Sequence, residues 1–96
     1  MIYHVTTLQD WQTQQGGSEF TPPDYFIEGF IHCCTPVQLE GVLERYFKGK
    51  TGLVLLQLDE SKLKAELKYE VSTNNEKFPH LYGAINRDAI AKVEDL

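Results

Sequence analysis

The spacing of hydrophobic and polar residues changes several times along the chain, and each change marks an element. Ile2 to Thr6 is β-branched and aromatic and predicts a strand. Thr7 with Asp10 three positions on resembles a capping box, so Leu8 to Gln15 reads as a helix. Gly16-Gly17 supplies positive-φ positions on which such a helix ends, and Pro22-Pro23 keeps the chain extended. Gly16 to Phe26 is therefore expected to be an ordered loop. Phe30 to Cys33 has strand character again. The sharpest local signal follows in Thr35-Pro36-Val37-Gln38, with a Thr N-cap, Pro at the first helical position and Gln three residues after the cap. The helix it opens is expected to bury a face of Val37, Leu39, Val42, Leu43, Tyr46 and Phe47, to turn Glu40, Glu44 and Arg45 toward water, and to end at Gly49 and Gly52.

Leu53 to Leu58 is a nearly continuous apolar run of strand length, the mark of a central strand covered on both faces. Asp59 to Lys62 turns the chain. From Leu67 to Val71 apolar and charged residues alternate, which predicts a strand with Leu67, Tyr69 and Val71 toward the core and Lys68 and Glu70 on an open face. Ser72 to Lys77 reads as polar loop, Phe78 to Gly83 as a short extended piece, Arg87 to Ala89 as a single turn, and Ile90 to Leu96 as a last strand. The expectation is an α+β domain of about six strands and two helices.

Composition narrows the function without naming it. The chain has 96 residues, a single domain spanning 1–96, and its 42% hydrophobic and 24% charged content is that of a folded protein. Nine Lys and Arg against fourteen Asp and Glu leave a net charge of −5, which disfavours an extended nucleic-acid surface. A small phosphate-bearing ligand held by backbone N–H groups stays compatible with that charge. The longest apolar stretch, Leu53 to Leu56, is far too short for a membrane span, and the strand-like first residues do not look like a signal segment. Cys33 and Cys34 are adjacent and make no disulfide framework, so two free thiols in a reducing, cytoplasmic compartment are expected.

The candidate chemistry centres on three histidines. His4, His32 and His80 sit in three separate strand-like blocks, Tyr3-His4-Val5-Thr6, Phe30-Ile31-His32-Cys33 and Phe78-Pro79-His80-Leu81-Tyr82. A lone histidine is usually a hydrogen-bonded structural residue, but three such blocks suggest a shared cleft. His32 precedes the capped helix start at Thr35, where free N–H groups favour an anion, although Thr35 itself can take up one of them. Glu70 on its open strand face can orient a ribose hydroxyl or act as a general base, or pair with a lysine in water. The adjacent thiols allow a Cys33 or Cys34 nucleophile activated by histidine, or plain packing of both side chains. Zinc is disfavoured because no Cys-x2-Cys or His-x3-His spacing is present, and no metal is expected. Glycine-rich phosphate loops are absent.

Ile2-Tyr3-His4-Val5-Thr6, Gly29-Phe30-Ile31-His32-Cys33 with Cys34-Thr35-Pro36-Val37-Gln38, Leu53 to Leu58, Leu67-Lys68-Tyr69-Glu70 and Phe78-Pro79-His80-Leu81-Tyr82-Gly83 follow one another in an order that resembles the bacterial family known as domain of unknown function 952. The resemblance covers essentially the whole chain. It implies a compact split β-sandwich similar to ADP-ribosyltransferases, binding a nucleotide-sized ligand, NAD (as substrate) or ADP-ribose, in a cleft between two small sheets. Carried over residue by residue, it implies that His4 takes the first motif position and that His32 with Thr35 falls in the second; the catalytic candidates are then His4, His32 and Glu70, and the candidate ligand contacts are Thr6, Thr35, Tyr69, His80 and Tyr82. The third motif falls on either Glu70 or the His80 to Tyr82 segment. The chain departs from the phosphate-gripping branch of that superfamily in its arginines, having only Arg45 and Arg87. A non-catalytic ligand-sensing or interaction domain that keeps the fold is the alternative.

Overall fold

A computed structural model describes residues 1–96. In chain order the elements are β1 (Ile2–Thr7), α1 (Leu8–Thr13), β2 (Glu19–Phe20), α2 (Tyr25–Glu28), β3 (Ile31–His32), α3 (Leu39–Tyr46), β4 (Leu53–Leu58), β5 (Glu66–Val71), β6 (Lys77–Tyr82), β7 (Ile85–Asn86) and β8 (Ile90–Asp95). Two three-stranded antiparallel sheets, ordered β1-β4-β8 and β3-β6-β5, are joined by a two-stranded ribbon of β2 and β7. The molecule is thus α+β and mostly strand, with eight strands and three helices where about six and two were expected.

The apolar run of β4 is explained by its place at the centre of its sheet. Val54, Leu56 and Leu58 enter the main core with Ile2, Trp11, Phe20, Ile31, Leu81 and Ile85, while Leu53 and Leu55 join Val5 beneath α3. Side chains of one strand point alternately to two faces, so a strand buried on both must be apolar throughout.

The sheets are stitched together by the stretch from Ile31 to Cys34. Ile31 and His32 pair with Leu81 and His80, and the Cys33 N–H donates to the Pro79 carbonyl at 3.0 Å. One residue later the chain has crossed to the other sheet: Cys34 and Tyr3 exchange N–H to carbonyl bonds of 2.7 and 2.8 Å. Gly83, just past β6, allows a close approach, since a Cβ there would lie 2.7 Å from Cβ of Ala65.

Three expectations need correction. The stretch from Gly16 to Phe26 is not only loop: it contains β2 and opens α2, and Phe20 is fully buried opposite Ile85. Elements of two and four residues are too short to show a period. The Gln14 side chain fixes this stretch by bonding both the N–H and the carbonyl of Thr21, at 2.8 and 2.7 Å. Second, the capping box forms as expected, but its first turn, Pro36–Gln38, is a 3-10 turn. Its tighter winding throws Val37 off the packing stripe, leaving it 93% exposed, and only Leu39, Leu43 and Phe47 contact the core at spacings of four. Third, β5 is an edge strand, so Leu67 is half-buried while Tyr69 and Val71 are exposed. No helix is long and apolar enough to cross a membrane.

Urea unfolding checks the packing. Leu56→Ala, at a fully buried site, should cost about 3 kcal/mol, and Val37→Ala should stay within about 0.5 kcal/mol of the parent. Similar losses at the two positions would contradict the placement of α3.

Candidate functional site

A cavity of about 420 Å³ opens beside the seam where β1 meets the Ile31–Cys34 stretch. His4 and Thr6 of β1, His32, the Pro23–Tyr25 approach to α2, Glu28 at its end, and Tyr46 and Phe47 from α3 contribute to its walls.

His4 is the most constrained polar group in that wall. Its side chain is buried, and Nδ1 lies 2.6 Å from the His32 carbonyl oxygen. A carbonyl only accepts, so Nδ1 carries the proton and Nε2 presents a lone pair. That Nε2 is buried and has no hydrogen-bond partner. Burial lowers the His4 pKa to about 4, with the His32 carbonyl partly opposing the shift, so the ring is neutral at physiological pH.

The neighbouring residues form a second cluster on one face of the sheet of β3, β6 and β5. His32 and His80 are paired across β3 and β6, with ring centres 5.5 Å apart, and Phe30 stacks on His80 at 4.2 Å. His80 is buried and donates from Nδ1 to Glu70 Oε1 at 3.0 Å, while the Tyr82 hydroxyl donates to the same oxygen. These two donors, Tyr82 first, hold the Glu70 carboxyl below its ordinary pKa. His32 is exposed and bonds Glu28 through Nε2. His32 therefore belongs to both groups, its ring beside the cluster and its residue in the cavity wall.

The expected site residues divide accordingly. His4, Thr6 and His32 line the cavity; His80, Glu70 and Tyr82 form the adjoining cluster and are not in its wall. Thr35 lies outside both, its hydroxyl and N–H engaged with Gln38 in the capping box. Tyr69 is on the opposite face of its strand from Glu70 and bonds Glu60 at 2.9 Å. Cys33 and Cys34 are buried free thiols. Both border the cavity, and burial raises both pKa values, that of Cys34 to about 11, which disfavours a thiolate at neutral pH. No three His, Cys, Asp or Glu side chains converge as a metal would require. Sequence reasoning passed over Phe30, Glu28 and Asp24. The spacing of four between Glu28 and His32 is the signal the sequence carries, and the loop-like composition from Gly16 to Phe26 hides it.

The model of the family described as "Protein of unknown function (DUF952)" matches residues 5–93. The chain belongs to this family. Its fold is similar to the crystal structure of protein CC0527 from Caulobacter crescentus, with a TM-score of 0.89 and 28% identity over 99% of this chain and 84% of that one. The solution NMR structure of CC0527 gives a TM-score of 0.84 at 28% identity, over 99% and 83% of the two chains. No curated protein matches.

The His4 environment makes stability depend on pH. An unfolded histidine titrates near 6.5, so below that pH the unfolded state takes up a proton that the native ring, with its pKa of about 4, refuses. The contribution is complete above the unfolded value and falls away as the pH drops toward 4, for a total of about 3 kcal/mol. Urea unfolding at steps between pH 7 and 4 should show this loss, and His4→Gln should flatten the slope. Parallel pH profiles for the two chains would contradict a neutral, buried His4.

Proposed function

We propose that this domain binds the nicotinamide-riboside end of an NAD-type ligand in the cavity beside β1. The observation that carries this reading is His4, a neutral imidazole in the cavity wall with one nitrogen fixed and the other a buried acceptor without a donor. A ribose hydroxyl or amide N–H would satisfy it, and an unpaired buried acceptor otherwise costs about 1 to 3 kcal/mol.

The remaining wall narrows the ligand's chemistry. It holds three carboxylates, Asp10, Asp24 and Glu28, several aromatic rings, and no Lys or Arg. Such a lining suits a flat ring that is neutral or positively charged, as the nicotinamide of the oxidised dinucleotide is, and repels phosphate. The phosphates and adenosine would lie outside the cavity. The similarity to ADP-ribosyltransferases implied by the sequence motifs favours the same ligand class.

Within this proposal, the ligand-sensing form is favoured over transfer of ADP-ribose. Glu70, the expected catalytic carboxylate, is engaged by His80 and Tyr82 and lies outside the cavity wall, so it is not in position to activate a nucleophile there. Its role is to hold the His80 ring.

Calorimetric titration with NAD, ADP-ribose and a 2′-phosphorylated dinucleotide tests the reading. NAD should bind, ADP-ribose should bind more weakly because it lacks the nicotinamide ring, and the added phosphate should bring no gain. His4→Phe keeps a ring in place but removes the acceptor, and should weaken NAD binding about tenfold. Absence of heat with all three ligands, or unchanged affinity in a folded His4→Phe chain, would sink the proposal.

A further inference from the structure

We propose that the free edge of β5 pairs with β5 of a second copy, joining two β3-β6-β5 sheets into one antiparallel sheet across a two-fold axis at Tyr69. This proposal is independent of what the cavity binds.

The direction of the backbone groups follows from a proline. Cys33 donates to the Pro79 carbonyl, so the Pro79 carbonyl points toward β3. Pro79 has no N–H to offer β5, and it stands opposite Tyr69. In an antiparallel ladder such a pair turns its polar groups away from each other. The N–H and carbonyl of Tyr69 therefore point out of the sheet, and those of Leu67 and Val71 follow by alternation. None of the three makes a backbone bond on that side. Nothing pairs with β5 beyond β6, since it ends its sheet.

The side chains fit a second copy of the same strand. With Tyr69 on the axis, Leu67 faces Val71 of the second copy and Tyr69 faces its counterpart, which covers two exposed apolar side chains. On the other face Lys68 meets Glu70 of the second copy, twice by symmetry. Moving the axis to Lys68 would set Lys68 against itself and Glu66 against Glu70, like charges directly opposed and therefore rejected. Lys64, Glu66, Lys68 and Glu70 cancel along this edge, although the whole chain carries −5. The Tyr69 register lets the outward groups form about six backbone hydrogen bonds.

Edge strands are commonly guarded against such pairing, as β8, one of the two outer strands of the other sheet, is. The pairing of β8 with β4 is broken by a register shift at Gln57 and Leu58, and β8 ends in the like charges Glu94 and Asp95. The six pairs between β5 and β6 run without interruption.

Light scattering and amide hydrogen exchange from micromolar to millimolar protein test the proposal together. Expected is a concentration-dependent species of twice the chain mass, in which the amides of Leu67, Tyr69 and Val71 gain protection as the concentration rises. Lys68→Glu should raise the dissociation constant about tenfold with an unchanged circular dichroism spectrum. A monomer throughout the range would overturn the proposal, as would a dimer in which those three amides stay unprotected.

Discussion

Four residues, Ile31 to Cys34, hold the molecule together, because their backbone is hydrogen-bonded to one sheet at its start and to the other at its end. Neither three-stranded sheet could bury its inner face alone, and the ribbon of β2 and β7 is too short to align them. The crossing sets the separation of β1 from β3 and so the width of the cavity beside the seam. It also leaves the His32 carbonyl available, and the His4 ring takes it. One stretch of backbone thus fixes the sheet geometry and the tautomer of the most constrained side chain in the cavity.

That arrangement gives the three histidines different work. His4 is buried, neutral and held by a carbonyl. His80 is equally buried but held by a carboxylate, with Phe30 stacked over it and Tyr82 sharing the same oxygen. His32 is exposed and paired with Glu28. Sequence alone shows three similar residues in three strand-like blocks, and their environments make them unlike. Glu70, the expected catalytic carboxylate, accepts hydrogen bonds from both His80 and Tyr82.

What could be read in advance follows from the range of the interactions involved. The strands β1, β4 and β8, the helix start at Thr35 and the last short turn were legible because their signals are local: branched residues, a capping residue, a change of period. The two-residue strands β2 and β7 were not, since Phe20 and Ile85 declare themselves only by meeting across the fold. Val37 continues the helical apolar stripe in sequence, but the turn that carries it is wound more tightly and leaves it exposed. Tyr69 and Glu70 are neighbours in sequence but lie on opposite faces of β5, and the Thr35 hydroxyl and N–H are taken up by the cap, neither of which a motif match reveals. The grouping of His4 with His32, and of His80 with Glu70 and Tyr82, rests on sheet register, which no single segment specifies.

The central claim is that the His32 carbonyl fixes the proton of His4 on Nδ1 and leaves Nε2 a buried acceptor without a partner. Long-range nitrogen-proton correlation NMR on the uniformly ¹⁵N-labelled protein reads both ring nitrogens directly. The account predicts a protonated Nδ1 and an unprotonated Nε2 for His4 at pH 7, unchanged down to about pH 5. A proton found on Nε2, or a ring that becomes fully charged between pH 7 and 6, would contradict it.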